Sequence, residues 1–190
     1  DKTRLDAENL ARYNDLALYS EKIKDTMATS DFDPEKALSS NINLSGYLTF
    51  ATKDIYGSPV ESTVFASYKL TMVNFNGTYN YEAINESKAL QSVYSQLKGD
   101  PNINVLAVII DLPDEESEKM AKDSYEEAGA EYKAIMPDET LARWINSNLK
   151  GVPTTLFVNS EGAIIGETIQ GSRSAKEYLQ AAYDTMSLIQ

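Results

Sequence analysis

An α/β fold, a sheet with helices covering both faces, is predicted by three features of the sequence. Short apolar runs of strand length recur at KLTMVNF, NVLAVIID and TTLFVN. Between them lie segments in which apolar residues repeat at helical spacing. Turn residues such as Gly99-Asp100-Pro101 and Gly129 separate the two kinds of segment. Strands that alternate with helices in this way are the signature of layered α/β architecture.

In chain order, Tyr13, Leu16, Ile23 and Met27 fall on one face of a helix expected over about Arg4–Met27. Asp33 before Pro34 and Glu35 is a helix-start signal for one or two further turns, which the Ser/Asn run then ends. Residues 1–45 are therefore read as a helical N-terminal extension and linker, and residues 46–190 as the folded domain. YLTFATKDIYGSPV alternates apolar and polar residues and turns at IYGSP, which predicts a hairpin. KLTMVNF follows as a buried strand. Ile84, Leu90, Val93, Tyr94 and Leu97 then form one helical stripe. NVLAVIID is the next buried strand, and EESEKMAKDSYEEAG the next helix. YKAIM, the helix in ETLARWINSNLKG, the strands TTLFVN and AIIGETI around a turn at SEG, and a last helix from Ser174 to about Ile189 complete the chain.

Composition excludes several function classes. With no cysteine and no histidine, the chain lacks the residues for thiol chemistry, for zinc or haem ligation of the usual kinds, and for Ser–His or Cys–His catalysis. No P-loop, GxGxxG, GxSxG or EF-hand pattern is present, and no cofactor is expected. A net charge of −12 argues against nucleic acid as a partner. From Asp111 to Glu139 there are eleven acidic and three basic side chains, a local net charge of −8 that reads as a solvated helix face. No apolar run has the length of a membrane span. The chain begins at Asp1 without a methionine, which leads us to expect a processed or trimmed form, with any export signal or membrane tether lying upstream.

The segment MVNFNGTYNYEAINE resembles the VNFWATWCxPCxxE segment of the TlpA-like redoxins, thiol–disulfide oxidoreductases of the thioredoxin superfamily. Downstream, GVPTTLFVNSEGAII resembles the same family's segment around a cis-proline beside the active site, and FATKDIYGSPV resembles its opening hairpin. These segments span about Leu48 to Leu188 in the family's order. The resemblance implies a thioredoxin-like fold, a central mixed sheet flanked by helices, and a cis bond at Val152–Pro153. It also places Asn80 and Ala83 where the family has its two cysteines. Asn76 stands at the tryptophan, Tyr79 at the aromatic before the first cysteine, Glu82 at the proline between the cysteines, and Glu86 at the trailing acid. Both sulfurs are absent, so the family's dithiol activity does not carry over.

The replacements are physically consistent with one another. Asn is a favoured helix N-cap, stabilising by about 0.5–2 kcal/mol relative to Ala. Glu82 would suit the helix dipole, and Ala83 is the best helix former. The expectation is an ordinary capped helix start in place of a thiolate site. Tyr79, Tyr81 and Glu82, with Asn76, Val152 and Pro153, are expected to line a shallow groove for an extended peptide or protein partner; the alternative is that Tyr79 packs in the domain and Tyr81 covers the helix end. Trp144 reads as core. Asp111 is expected to cap the following helix or close the PDEE turn, the alternative being a ligand position at the end of its strand.

Three functional readings follow. The first is a redox-silent binding module outside the cytoplasm, where TlpA-like redoxins generally work. The second is an oxidoreductase by descent whose CxxC was lost or mutated. The third makes the N-terminal helix the interaction element and the domain its scaffold. Oligomeric state is left open.

Overall fold

Residue patterns that alternate with a period of two set which side of the sheet each strand feeds. The clearest case is Leu70–Asn76, a fully buried strand. Its Leu70 and Met72 enter one apolar cluster, while Val73 and Phe75 enter another on the opposite face. The computed structural model describes residues 44–78, 81–112 and 114–189, and for residues 81–84 the helical backbone alone. The helix expected over Arg4–Met27 lies outside the described residues.

Within the described part, β1 (Ala51–Lys53) and β2 (Pro59–Glu61) form an antiparallel hairpin, followed by a 3₁₀ turn over Ser62–Ser67. β3 (Leu70–Asn76), α1 (Tyr81–Leu97), β4 (Ile103–Ile109), α2 (Glu115–Glu127), β5 (Lys133–Ile135), α3 (Glu139–Asn148), β6 (Thr154–Asn159), β7 (Ile164–Gln170) and α4 (Ala175–Met186) follow. The main sheet has the order β5-β4-β3-β6-β7. β3, β4 and β5 are parallel, and β6 and β7 run antiparallel to their neighbours. The sheet is therefore mixed, with the connection through α1 joining its parallel central pair.

The two faces are covered differently. Leu90, Val93 and Leu97 of α1, Ala121 and Tyr125 of α2, and Tyr178 and Ala182 of α4 pack with Met72, Val105 and Ala107 of the sheet. On the other face Leu141 and Ile145 of α3, with Leu48, Phe50, Val60 and Phe65, cover Val73, Phe75, Leu106 and Leu156. The alternation read in YLTFA holds here: Leu48 and Phe50 are buried, whereas Tyr47, Thr49 and Ala51 are exposed. This opening segment reaches both sheet edges. Leu48 donates its N–H to Gly162 in the β6–β7 turn, and Met136, just past β5, donates to Lys53. Gly162 has φ +80, and a Cβ there would come within 3.0 Å of the Leu48 carbonyl oxygen, so the turn needs glycine on both counts.

Helix ends follow sequence chemistry. Asp114 and Ser174 each make a reciprocal capping box, with Ser117 and Glu177 respectively, and Asp138 caps α3 through the Leu141 N–H. The last helix stops at Met186, about a turn earlier than the sequence pattern suggests.

Three tyrosines give the helical face a dependence on alkaline pH. Tyr125 and Tyr132 lie with ring centroids 5.3 Å apart and are both buried. Burial pushes the Tyr132 hydroxyl from 10.0 up to about 12, and pushes Tyr125 and Tyr178 upward as well. The folded protein thus holds these protons where the unfolded chain releases them. Their contribution to stability is fully present below pH 10.0 and is lost as pH rises towards 12. Absorbance titration at a phenolate band should show a late, unfolding-coupled class of tyrosines. A single class ionising at the ordinary value without loss of structure would contradict this assignment.

Candidate functional site

Along the helical face of β3, the apolar residues Leu70 and Met72 are succeeded by Asn74 and Asn76. A buried amide needs partners, because leaving one unsatisfied costs about 1–3 kcal/mol. Asn74 Nδ2 donates to Glu86 Oε1 at 2.8 Å and lies 2.9 Å from the Thr155 hydroxyl on β6. Asn76 Nδ2 donates to Asn74 Oδ1 at 2.7 Å. The Tyr178 hydroxyl of α4 donates to the same Glu86 oxygen at 2.5 Å. β3, α1 and α4 thus meet at one carboxylate that is only 2% exposed, and β6 joins the network through Thr155 and Asn74. Glu86 Oε2 is buried and has no hydrogen-bond partner among the described residues.

Glu86 also lines a cleft of about 490 Å³ whose other walls are Asn85, Val152, Pro153, Gly171, Ser172 and Arg173. The Val152–Pro153 bond is cis, as the resemblance implies. The Pro153 carbonyl is occupied, accepting from the Gly171 N–H at 2.8 Å. The Val152 main-chain N–H and C=O, by contrast, have no partner among the described residues, and Val152 is 41% exposed.

Of the residues expected to line a groove, Val152 and Pro153 do line this cleft. Asn76 is placed differently: it is 4% exposed and its amide is spent on Asn74. Tyr81, Glu82 and Ala83 form the first turn of α1, with their side chains outside the described part, as are Tyr79 and Asn80 altogether. Trp144 packs as expected, stacked on Phe75 with centroids 5.7 Å apart.

Asp111 corrects the sequence expectation: α2 is capped by Asp114, and among the described residues Asp111 makes no hydrogen bond within the PDEE turn. Its Oδ2 accepts from the Thr78 N–H at 2.7 Å, holding the loop that leads from β3 into α1. That close approach explains Gly77, where a Cβ would stand 2.6 Å from Asp111 Oδ2. Sequence reasoning also passed over Asn74, Thr155 and Tyr178. Asn74 carried a signal, as an amide inside an otherwise apolar strand; Thr155 and Tyr178 carried none.

No protein-family model matches the chain, and no curated protein matches it in sequence. Solved structures do. A thioredoxin-family thiol:disulfide interchange protein from Chlorobium tepidum TLS aligns with TM-score 0.62 at 17% identity, covering 77% of this chain and 99% of that one. A secreted thiol-disulfide isomerase from Corynebacterium glutamicum aligns with TM-score 0.62 at 17% identity, covering 82% and 96%. StoA from Bacillus subtilis aligns with TM-score 0.57 at 16% identity, covering 72% and 98%. Over the domain that carries the Glu86 network and the cleft, the chain has the thioredoxin-like fold of thiol–disulfide oxidoreductases, built without a single cysteine.

Proposed function

We propose that this protein is a redox-silent thioredoxin-like binding module, which takes an extended polypeptide segment in the cleft between the start of α1 and the Val152–Pro153 turn. The observation that carries the reading is the Val152 main chain. Its N–H and C=O are unpartnered among the described residues, on an exposed residue at the wall of a cleft. An extended chain laid beside it could exchange main-chain hydrogen bonds there, a short form of β-strand addition. The chain cannot form a mixed disulfide, because it has no thiol to attack with. In this reading Asn80 and Ala83 stand where a CxxC pair has been lost, and Tyr79, Tyr81 and Glu82 are the residues proposed to contact the partner. The partner is a peptide or protein met outside the cytoplasm; the Corynebacterium glutamicum structure, described as secreted, supports that placement.

The experiment is chemical-shift mapping with a pool of extended peptides on the native protein and on Tyr81→Ala. Shifts clustered at Val152, Gly171 and the first turn of α1, weakened in the variant, are expected. Shifts scattered elsewhere, or none, would leave the domain without this site.

A further inference from the structure

Two of the residues that line the cleft are charged, and only one of them is within reach of a ligand. Glu86 turns inward: Oε1 accepts from Asn74 and Tyr178, and Oε2 is buried. Arg173, in the loop between β7 and α4, is half-buried and brings a guanidinium to the wall.

That guanidinium is held in place without being neutralised. Its Nη1 donates to the Ser172 carbonyl at 2.9 Å. A Cβ on Gly171, whose φ is +76, would stand 3.5 Å from the same nitrogen. Gly171 in turn donates its N–H to the Pro153 carbonyl at 2.8 Å, so a short run of contacts ties the guanidinium to the Val152–Pro153 turn. Among the described residues, the ion pairs are Lys98–Glu131, Lys119–Asp123 and Lys133–Asp54, and none involves Arg173. Glu177, four positions on, is committed to Ser174, whose N–H and hydroxyl reach its Oε2 at 2.9 and 2.5 Å. Those Ser174 groups hold the Glu177 carboxyl below its usual range, with the Arg173 charge a lesser cause. A guanidinium fixed at one nitrogen and lacking a carboxylate presents its other N–H donors as the fork that a carboxylate grips.

The local charge balance points the same way. In a chain of net charge −12, residues 149–155 and 169–176, which contain both loops of the cleft, carry Lys150, Arg173 and Lys176 and no acid. Exposed charges further off are screened beyond about 8 Å at physiological ionic strength, so this local balance outweighs the net charge at the cleft.

We infer that the cleft takes an acidic side chain of the extended ligand, whose carboxylate accepts hydrogen bonds from the Arg173 guanidinium. The inference rests on the binding reading above and names the ligand's chemistry. Pairing both the N–H and the C=O of Val152 uses the main-chain groups of the ligand residue opposite, which leaves the carboxylate to come from a side chain. A lysine there would meet a like charge.

The test uses capped pentapeptides with alanine and valine flanks and glutamate, glutamine or lysine at the centre, together with an alanine–valine peptide whose C-terminus is free. Each is titrated into the native protein and into Arg173→Gln, with amide shifts of Val152, Gly171 and Ser172 followed. The glutamate peptide is expected to bind about tenfold more tightly than the glutamine one, the size of a charge-assisted hydrogen bond, and the lysine peptide most weakly. Arg173→Gln should erase the glutamate-to-glutamine ratio. If glutamate and glutamine peptides bind the native protein equally, or if the ratio survives in the variant, the acidic subsite is wrong and the peptide cleft stands. A gain confined to the peptide with a free C-terminus would replace the side chain by a chain end and overturn the inference as stated. If no peptide shifts these amides, both the subsite and the cleft fall.

Discussion

Replacing Glu86 by Ala is expected to destabilise the domain by about 2–3 kcal/mol, as loss of an acceptor leaves a buried donor behind it unpaired. The donors are Asn74 Nδ2 and the Tyr178 hydroxyl, on residues that are 0% exposed. Asn74 would retain Thr155, but Tyr178 would lose its acceptor. Glu86→Gln keeps an acceptor oxygen and the shape of the side chain, and should cost about 1 kcal/mol, the usual size of a single net hydrogen bond. Urea denaturation of the pair checks this. If the alanine variant lies within the range of the glutamine one, then β3, α1, β6 and α4 do not depend on this carboxylate for their mutual placement.

That difference also bears on function. In a redox enzyme a buried acid beside a thiol has work to do with protons, but here there is no thiol for it to serve. What remains is a structural anchor on a residue that borders a cleft. That role is carried by Oε1, which accepts from both Asn74 and Tyr178.

The elements were legible in the sequence because each carries its own local signal. LTMVNFN is a buried run of strand length, the stripe Leu90, Val93 and Leu97 has helical spacing, and Gly129 marks the end of α2. Capping was harder to read. Asp111 and Asp114 both precede the same helix, yet only Asp114 stands directly before its first residue, with Ser117 three positions on to complete the box. Asp111 went instead to Thr78, 33 residues away, for which no local pattern exists. The polar network was least legible of all. Asn74 meets Thr155 across 81 residues and Glu86 meets Tyr178 across 92, and only the order β5-β4-β3-β6-β7, with α1 and α4 on one face, brings them together. Val152 and Pro153 were found by resemblance, and nothing in their immediate sequence marks a cleft.

The opposite face of β3 sets the second large effect. Phe75→Ala is expected to cost about 3–5 kcal/mol, since it empties a fully buried aromatic site that the surrounding sheet cannot close over. Phe75 pairs with Val108 on β4 and with Thr154 on β6, one residue beyond Pro153, so the void opens beneath the strands that present the cleft. Its ring is stacked on Trp144 of α3 at an interplanar angle of 26°. Trp144 is only half-buried and should lose less on its own, about 1–2 kcal/mol by transfer of the area it covers. If the stack is what fastens α3 to the sheet, Trp144→Ala should cost less in the Phe75→Ala background than in the native protein, by about 0.5–1.5 kcal/mol for an aromatic pair. Denaturant midpoints for the four members of that cycle provide the measurement. Strict additivity would mean that α3 is held by Leu141 and Ile145, the buried residues of the same helix, and that the Phe75–Trp144 contact is incidental to it.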